Sequence, residues 1–161
     1  MNRVLAVIVL AIGLAVSQGA LAKKKSGDLI TAADVEAIAE IARGHGTAKV
    51  EVDRDGDPLI RCKANGLMYS VYFYGCEKGK NCTSIQLQSG FTTDGKVDLD
   101  TLLQWNAKKR WLKAIRDAEG DPIVRYDVML AGGVTTENLD RSFKVFVDML
   151  GDFAKDVGAR E

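Results

Sequence analysis

The sequence predicts an α+β domain of two layers: an antiparallel sheet of about six strands with three helices over one face, in the order α-β-β-β-β-α-β-β-α. Three observations carry this. Apolar residues recur at three- and four-residue spacing before Gly44 and switch to alternation from Thr47. The pairs Asp55-Gly56 and Asn65-Gly66 divide the alternating region into hairpins. Near the end, Leu139, Phe143, Phe146, Leu150, Phe153 and Val157 step by fours and threes, the clearest amphipathic helix in the chain.

Taken in order, Thr31 is placed to cap a first helix carrying Val35, Ile38, Ala39 and Ala42, which Gly44 and Gly46 stop. Four strands follow over about 47–53, 57–64, 67–75 and 83–91, joined at Asp55-Gly56, Asn65-Gly66 and a Glu77–Asn81 loop. Asp98 opens a second helix with Leu99, Leu102, Leu103 and Trp105, running out near Lys108-Lys109-Arg110. A second hairpin covers about 111–117 and 122–130. Gly132-Gly133 breaks it, and Thr135 caps the third helix. The stretches Asp53–Arg61 and Asp117–Arg125 resemble one another. Asp and Gly suit a three-residue turn with glycine at positive φ, and Pro starts a strand without losing a ladder bond, so shared turn chemistry explains the echo without a repeat.

Turn geometry fixes the faces. A two-residue Asn65-Gly66 turn sets Ile60 opposite Val71 and Cys62 opposite Tyr69, and closing the next hairpin with Cys76 opposite Cys82 sets Val71 opposite Leu87. The two registers agree, so one face carries Ile60, Cys62, Leu67, Tyr69, Val71, Phe73, Ile85 and Leu87, and a three-residue first turn adds Val50 and Val52. A one-residue slip would turn this whole set to solvent. Three helices must cover it. The opposite face carries Met68, Tyr72, Tyr74, Gln86 and Gln88 with Arg61, Lys63, Ser70 and Ser84. Two readings fit that face: the solvated side of an antiparallel sheet, or a partner or homodimer surface, where Tyr and Met are enriched and Lys and Glu depleted.

Lys plus Arg number 22 against 22 Asp plus Glu. With no basic stripe in the sequence, nucleic acid is not the expected partner. The charge is unevenly spread, because Arg3 is the sole charge before Lys23. A positive start, an apolar run from Val4 to Val16 and an Ala20-Leu21-Ala22 ending are the ordered parts of a secretory signal cleaved after Ala22. The run is short of the roughly 20 apolar residues of a spanning helix, so no stable membrane anchor is expected. The expected division is a signal peptide over 1–22, a polar lead over 23–30 and one domain over 31–161, in a periplasmic or secreted protein.

An oxidising compartment lets disulfides persist. Cys76 and Cys82 flank a hairpin loop with their sulfurs on one face while Cys62 falls on the other, which predicts a Cys76–Cys82 bridge and a small buried Cys62. A redox pair is disfavoured, because the spacing lacks the Cys-x-x-Cys context at a helix start that lowers a thiol pKa. Three cysteines on two faces and one histidine do not make a zinc site; His45, between Gly44 and Gly46, reads as a solvated turn residue. Asp53, Asp55 and Asp57 imitate half a calcium loop, but the position where a bidentate Glu belongs holds Ala64. No nucleophile elbow, phosphate loop or convergent catalytic set is found, so no metal, cofactor or catalytic residue is expected.

The Tyr72–Gly75 strand end with Cys76 and Cys82, the run Ser84-Ile85-Gln86-Leu87-Gln88-Ser89-Gly90-Phe91, Trp105-Asn106, the turn Gly120-Asp121-Pro122 and Gly132-Gly133-Val134-Thr135 stand in this element order. Together they resemble the YbjN-domain family, bacterial proteins labelled sensory transduction regulators. The resemblance implies a fold like that of type III secretion chaperones, small α+β proteins that commonly dimerise and bind polypeptide segments, and it brings no catalytic residues. The signal peptide and the cysteine pair resemble an exported branch of the family. The expected function is a non-enzymatic, chaperone-like binding module with a protein or peptide partner. The alternatives are a small-ligand sensor or an enzyme inhibitor, either with a pocket between helices and sheet.

Overall fold

A computed structural model describes residues 29–93 and 97–159. The expected signal peptide, and the lead up to residue 28, lie outside the described residues. Elements run β1 (Leu29–Ile30), α1 (Val35–Arg43), β2 (Thr47–Val52), β3 (Pro58–Ala64), β4 (Leu67–Tyr74), β5 (Ser84–Gly90), α2 (Leu99–Lys108), β6 (Lys113–Arg116), β7 (Pro122–Met129), β8 (Val134–Thr135) and α3 (Thr136–Asp156). This is the expected order with two short strands added. β2-β3-β4-β5-β7-β6 form one antiparallel sheet, and β1 pairs with β8. Leu29 and Ile30 join the fold through β8, and Ile30 is buried.

The registers stand as the turn chemistry requires. Ile60 faces Val71, Cys62 faces Tyr69, Val71 faces Leu87 and Val50 faces Ile60. Asn65 and Gly66 both take positive φ, 51° and 86°, the conformation of a type I′ hairpin. The two echoed turns share one geometry: Asp53 accepts from the Asp57 amide at 2.9 Å, Asp117 from the Asp121 amide at 2.7 Å, and Gly56 and Gly120 take positive φ.

Helices cover one face of the sheet. α1 packs on β2 and β3, α2 on β6, and α3 on β7 and α1. Ile60, Val71, Phe73, Ile85 and Leu87 meet Ile38, Phe143, Phe146 and Phe153 in one core. Asp98 caps α2 through the Asp100 amide and Thr135 caps α3 through the Asn138 amide, as expected. Thr31 does not cap α1. Its amide and hydroxyl both donate to Asp34 at 2.9 Å, because the chain leaving β1 needs a turn before Val35 can start the helix.

Two placements differ further. Val50 and Val52 lie on the helix side by register, yet they are 36 % and 68 % exposed, because β2 is an edge strand and burial against α1 stops at Ala48. On α2, Leu102 and Trp105 enter the core while Leu99 and Leu103 face outward.

Candidate interaction face

The uncovered side of the sheet is built in cross-strand rows. One row runs Glu51, Leu59, Tyr72, Gln86 and Asp127 across β2, β3, β4, β5 and β7. Leu59 is 3 % exposed although, among the described residues, the helices pack on the other side of the sheet. It floors a depression of about 590 Å³, walled by Glu51, Arg61, Tyr72 and Tyr74 and closed at one end by the turn residues Asp53 to Asp55. That volume falls within the range of ligand-binding clefts. The disulfide-closed loop braces this corner, since a Cβ on Gly79 would come within 2.5 Å of the Gly56 carbonyl.

All five residues expected on this face are there, in different states. Met68 and Tyr74 are exposed near opposite ends of β4, and Tyr72 is half-buried. Gln86 is buried, and its Nε2 donates to Asp127 Oδ1 at 2.6 Å while its Oε1 has no partner among the described residues. Gln88 accepts from Arg125 Nε at 2.7 Å. Burial pushes the Tyr74 phenol above its ordinary value; Arg125 opposes this, and Tyr72, Asp127 and Asp53 add to it. Sequence reasoning missed Leu59, Arg125, Asp127 and the exposed Met129. Arg125, Asp127 and Met129 reach this face because β7 pairs with β5, a neighbour relation that no single turn encodes, whereas Leu59 sits on β3 between Glu51 and Tyr72.

Cys76 and Cys82 are joined, with Cα atoms 3.8 Å apart, and Cys62 is free and buried. Burial pushes the Cys62 thiol up to about 11, with neighbouring Tyr69 and then Arg43 acting the other way. A neutral, buried thiol should not react with a water-soluble disulfide reagent at neutral pH until the chain unfolds, when one thiol becomes titratable; a native stoichiometry of one would contradict this. The sign of the pH effect follows from the raised value. The contribution is full below the ordinary thiol pKa and is lost as pH rises toward about 11. Denaturation midpoints measured above pH 9 should therefore fall less steeply for Cys62→Ala than for the native chain.

His45 lies in the turn after α1, as expected, but its side chain is only 16 % exposed rather than solvated. Its Nε2 lies 2.9 Å from Asp140 Oδ1 and its ring stacks at 6.2 Å on Phe143, so it ties the end of α1 to α3. Asp53 accepts from the amides of Asp55 and Asp57, which commits its carboxylate to the turn. Among the described residues no three His, Cys, Asp or Glu side chains are grouped to hold a metal ion. Among them, too, no helix is long and apolar enough to cross a membrane.

Fold and face together define a two-layer α+β domain with one helix-covered and one open sheet face. Residues 34–159 match the YbjN family, described as "Putative bacterial sensory transduction regulator", and the chain belongs to that family. No curated protein matches the sequence. Among solved structures, the Yersinia pestis type III secretion chaperone SycH, in complex with a stable fragment of YscM2, is similar over 79 % of this chain and 99 % of its own, at 11 % identity and a TM-score of 0.49.

Proposed function

We propose that this protein is an exported, non-enzymatic binding module that holds an extended polypeptide segment across the open sheet face. The observation that carries the reading is the Leu59-floored depression with Tyr72 and Tyr74 along one wall. Rigid aromatic side chains beside a buried apolar floor are the usual anchors of a protein interface. The exposed Met68 and Met129 extend the apolar contact, and Gln86 Oε1 supplies a buried acceptor for a donor from the segment. Export is supported by the signal-like first 22 residues and by the disulfide. The pocket expected for a small-ligand sensor lay between helices and sheet, whereas this depression is on the other side of the sheet.

The test is selection of binding peptides from a displayed library, followed by titration of the selected peptides against Tyr72→Ser/Tyr74→Ser. Loss of two anchors should weaken binding by about 2 kcal/mol, roughly thirtyfold. Selected peptides that bind the double variant as well as the native chain, or a library that yields none, would overturn the reading.

A further inference from the structure

The two edges of the main sheet are finished differently. At β6 the Asn106 side chain acts as a surrogate strand: its Nδ2 donates to the Ala114 carbonyl at 2.9 Å and its Oδ1 accepts from the Ala114 amide at 2.7 Å. The outward groups of Ala114, within that four-residue edge strand, are thereby covered. β2 is longer, at six residues, and among the described residues no side chain pairs with both groups of one of its outward residues as Asn106 does. The Asp53 amide bonds the Asp57 carbonyl at 2.9 Å, which turns the odd-numbered residues of β2 toward β3 and leaves the amides and carbonyls of Ala48, Val50 and Val52 pointing outward. Arg43 Nε meets the Ala48 carbonyl at 3.2 Å; among the described residues nothing meets the outward groups of Val50 and Val52. An uncovered edge with exposed valines is a template for another strand.

We infer that β2 pairs antiparallel with β2 of a second copy of this chain about a two-fold axis through Val50, joining two six-stranded sheets into one. The charge order of the strand selects this partner and this register. With the axis at Val50, Lys49 stands opposite the partner's Glu51 and Glu51 opposite the partner's Lys49. Lys49 and Glu51 already meet at 2.9 Å along one strand, so the pairing completes an alternating square of four charges. A slip that centres the axis on Lys49 sets lysine against lysine, and one that centres it on Glu51 sets glutamate against glutamate. An axis at Val52 opposes Glu51 with the partner's Asp53. An axis at Ala48 leaves Val52 beyond the end of the partner strand.

On the helix side the same register sets Val50 beside the partner's Val50 and Val52 beside the partner's Ala48, covering the two valines that the helices leave exposed. The symmetry makes the contact isologous and closed, so it ends at a dimer. Glu51 and Val52 also line the depression. Pairing at β2 therefore places both copies of the depression on one continuous face, on either side of the charge square. This assembly stands whether or not the depression takes a peptide.

The test is sedimentation velocity on protein purified from cells expressing the full chain. The native chain should sediment at twice the protomer mass. Lys49→Glu and Glu51→Lys should each sediment as the protomer, and the double exchange Lys49→Glu/Glu51→Lys should regain the doubled mass, because it restores the opposite-charge pairs in mirror order. Thermal melts followed by circular dichroism confirm that each variant is folded. For the native chain alone, hydrogen exchange should show the Val50 and Val52 amides protected. A native protomer mass, a doubled mass that the single reversals do not change, a double exchange that stays single, or fast exchange at Val50 and Val52 would overturn the inference.

Discussion

Phe153→Ala should lower the free energy of unfolding by about 3–5 kcal/mol, the range for removing a buried phenyl ring without collapse of the cavity. Phe153 is fully buried where three segments meet. Trp105 of α2 approaches it edge-on at 5.0 Å between ring centroids, and Phe91, just beyond β5, lies at 5.8 Å. Aromatic pairs of this kind add to the area term. Because Trp105 is held by α2 and the Phe91 amide is tied to the Pro122 carbonyl at 3.0 Å, neither can move in to fill the space. A domain of this size has about 5–15 kcal/mol in total, so the variant should be marginally folded. Urea denaturation reads the loss directly, and a shift below about 1 kcal/mol would show that the α2–α3 contact is looser than the structure has it.

Asn106→Ala should cost about 2–4 kcal/mol, more than an asparagine on a helix surface normally would. The substitution removes both hydrogen bonds to the Ala114 backbone, and Ala114 is 3 % exposed, so a buried amide and a buried carbonyl lose their partner together. Each orphaned group carries a desolvation penalty of about 1–3 kcal/mol. A second consequence separates this from ordinary destabilisation: with the side chain gone, the outward amide and carbonyl of Ala114 are left open on the β6 edge. The variant should aggregate faster than Phe153→Ala when the two are compared at equal fractions folded, followed by light scattering. Equal aggregation rates would mean that Asn106 stabilises the fold without guarding the edge.

These two residues also show what can be read from sequence. Phe153 is legible because a helix repeats every three to four residues, so its spacing from Phe143, Phe146 and Leu150 marks the core face. Asn106 stood out only within a resemblance, and its reach to Ala114 depends on how α2 lies against β6. The β2–β5 meander was legible for a local reason: short turns with defined residue chemistry set its registers, and a side-chain period of two then assigns each residue a face. β1 and β8 were missed because two residues carry no period. Val50 and Val52 were given the right face and the wrong burial, because a register does not say how far the helix layer extends.

The candidate site follows the same division. Met68, Tyr72, Tyr74, Gln86 and Gln88 were placed together by hairpin arithmetic. Arg125, Asp127 and Met129 arrive through the β5–β7 pairing, which forms only after α2 and β6 intervene in the chain. Leu59 was hidden for another reason. An apolar residue at the start of a strand on the polar face reads as incidental until Glu51 and Tyr72 are seen on either side of it.

The most direct test of the binding face is an amide-resolved NMR titration of the native chain with a peptide selected for binding. Resonances of Leu59, Arg61, Tyr72, Tyr74 and Gln86 should shift together with a single dissociation constant, while those of α1 and α3 on the covered face stay in place. Saturable shifts confined to the helices, with the Leu59–Tyr74 set unmoved, would contradict the assignment of the open sheet face as the binding surface.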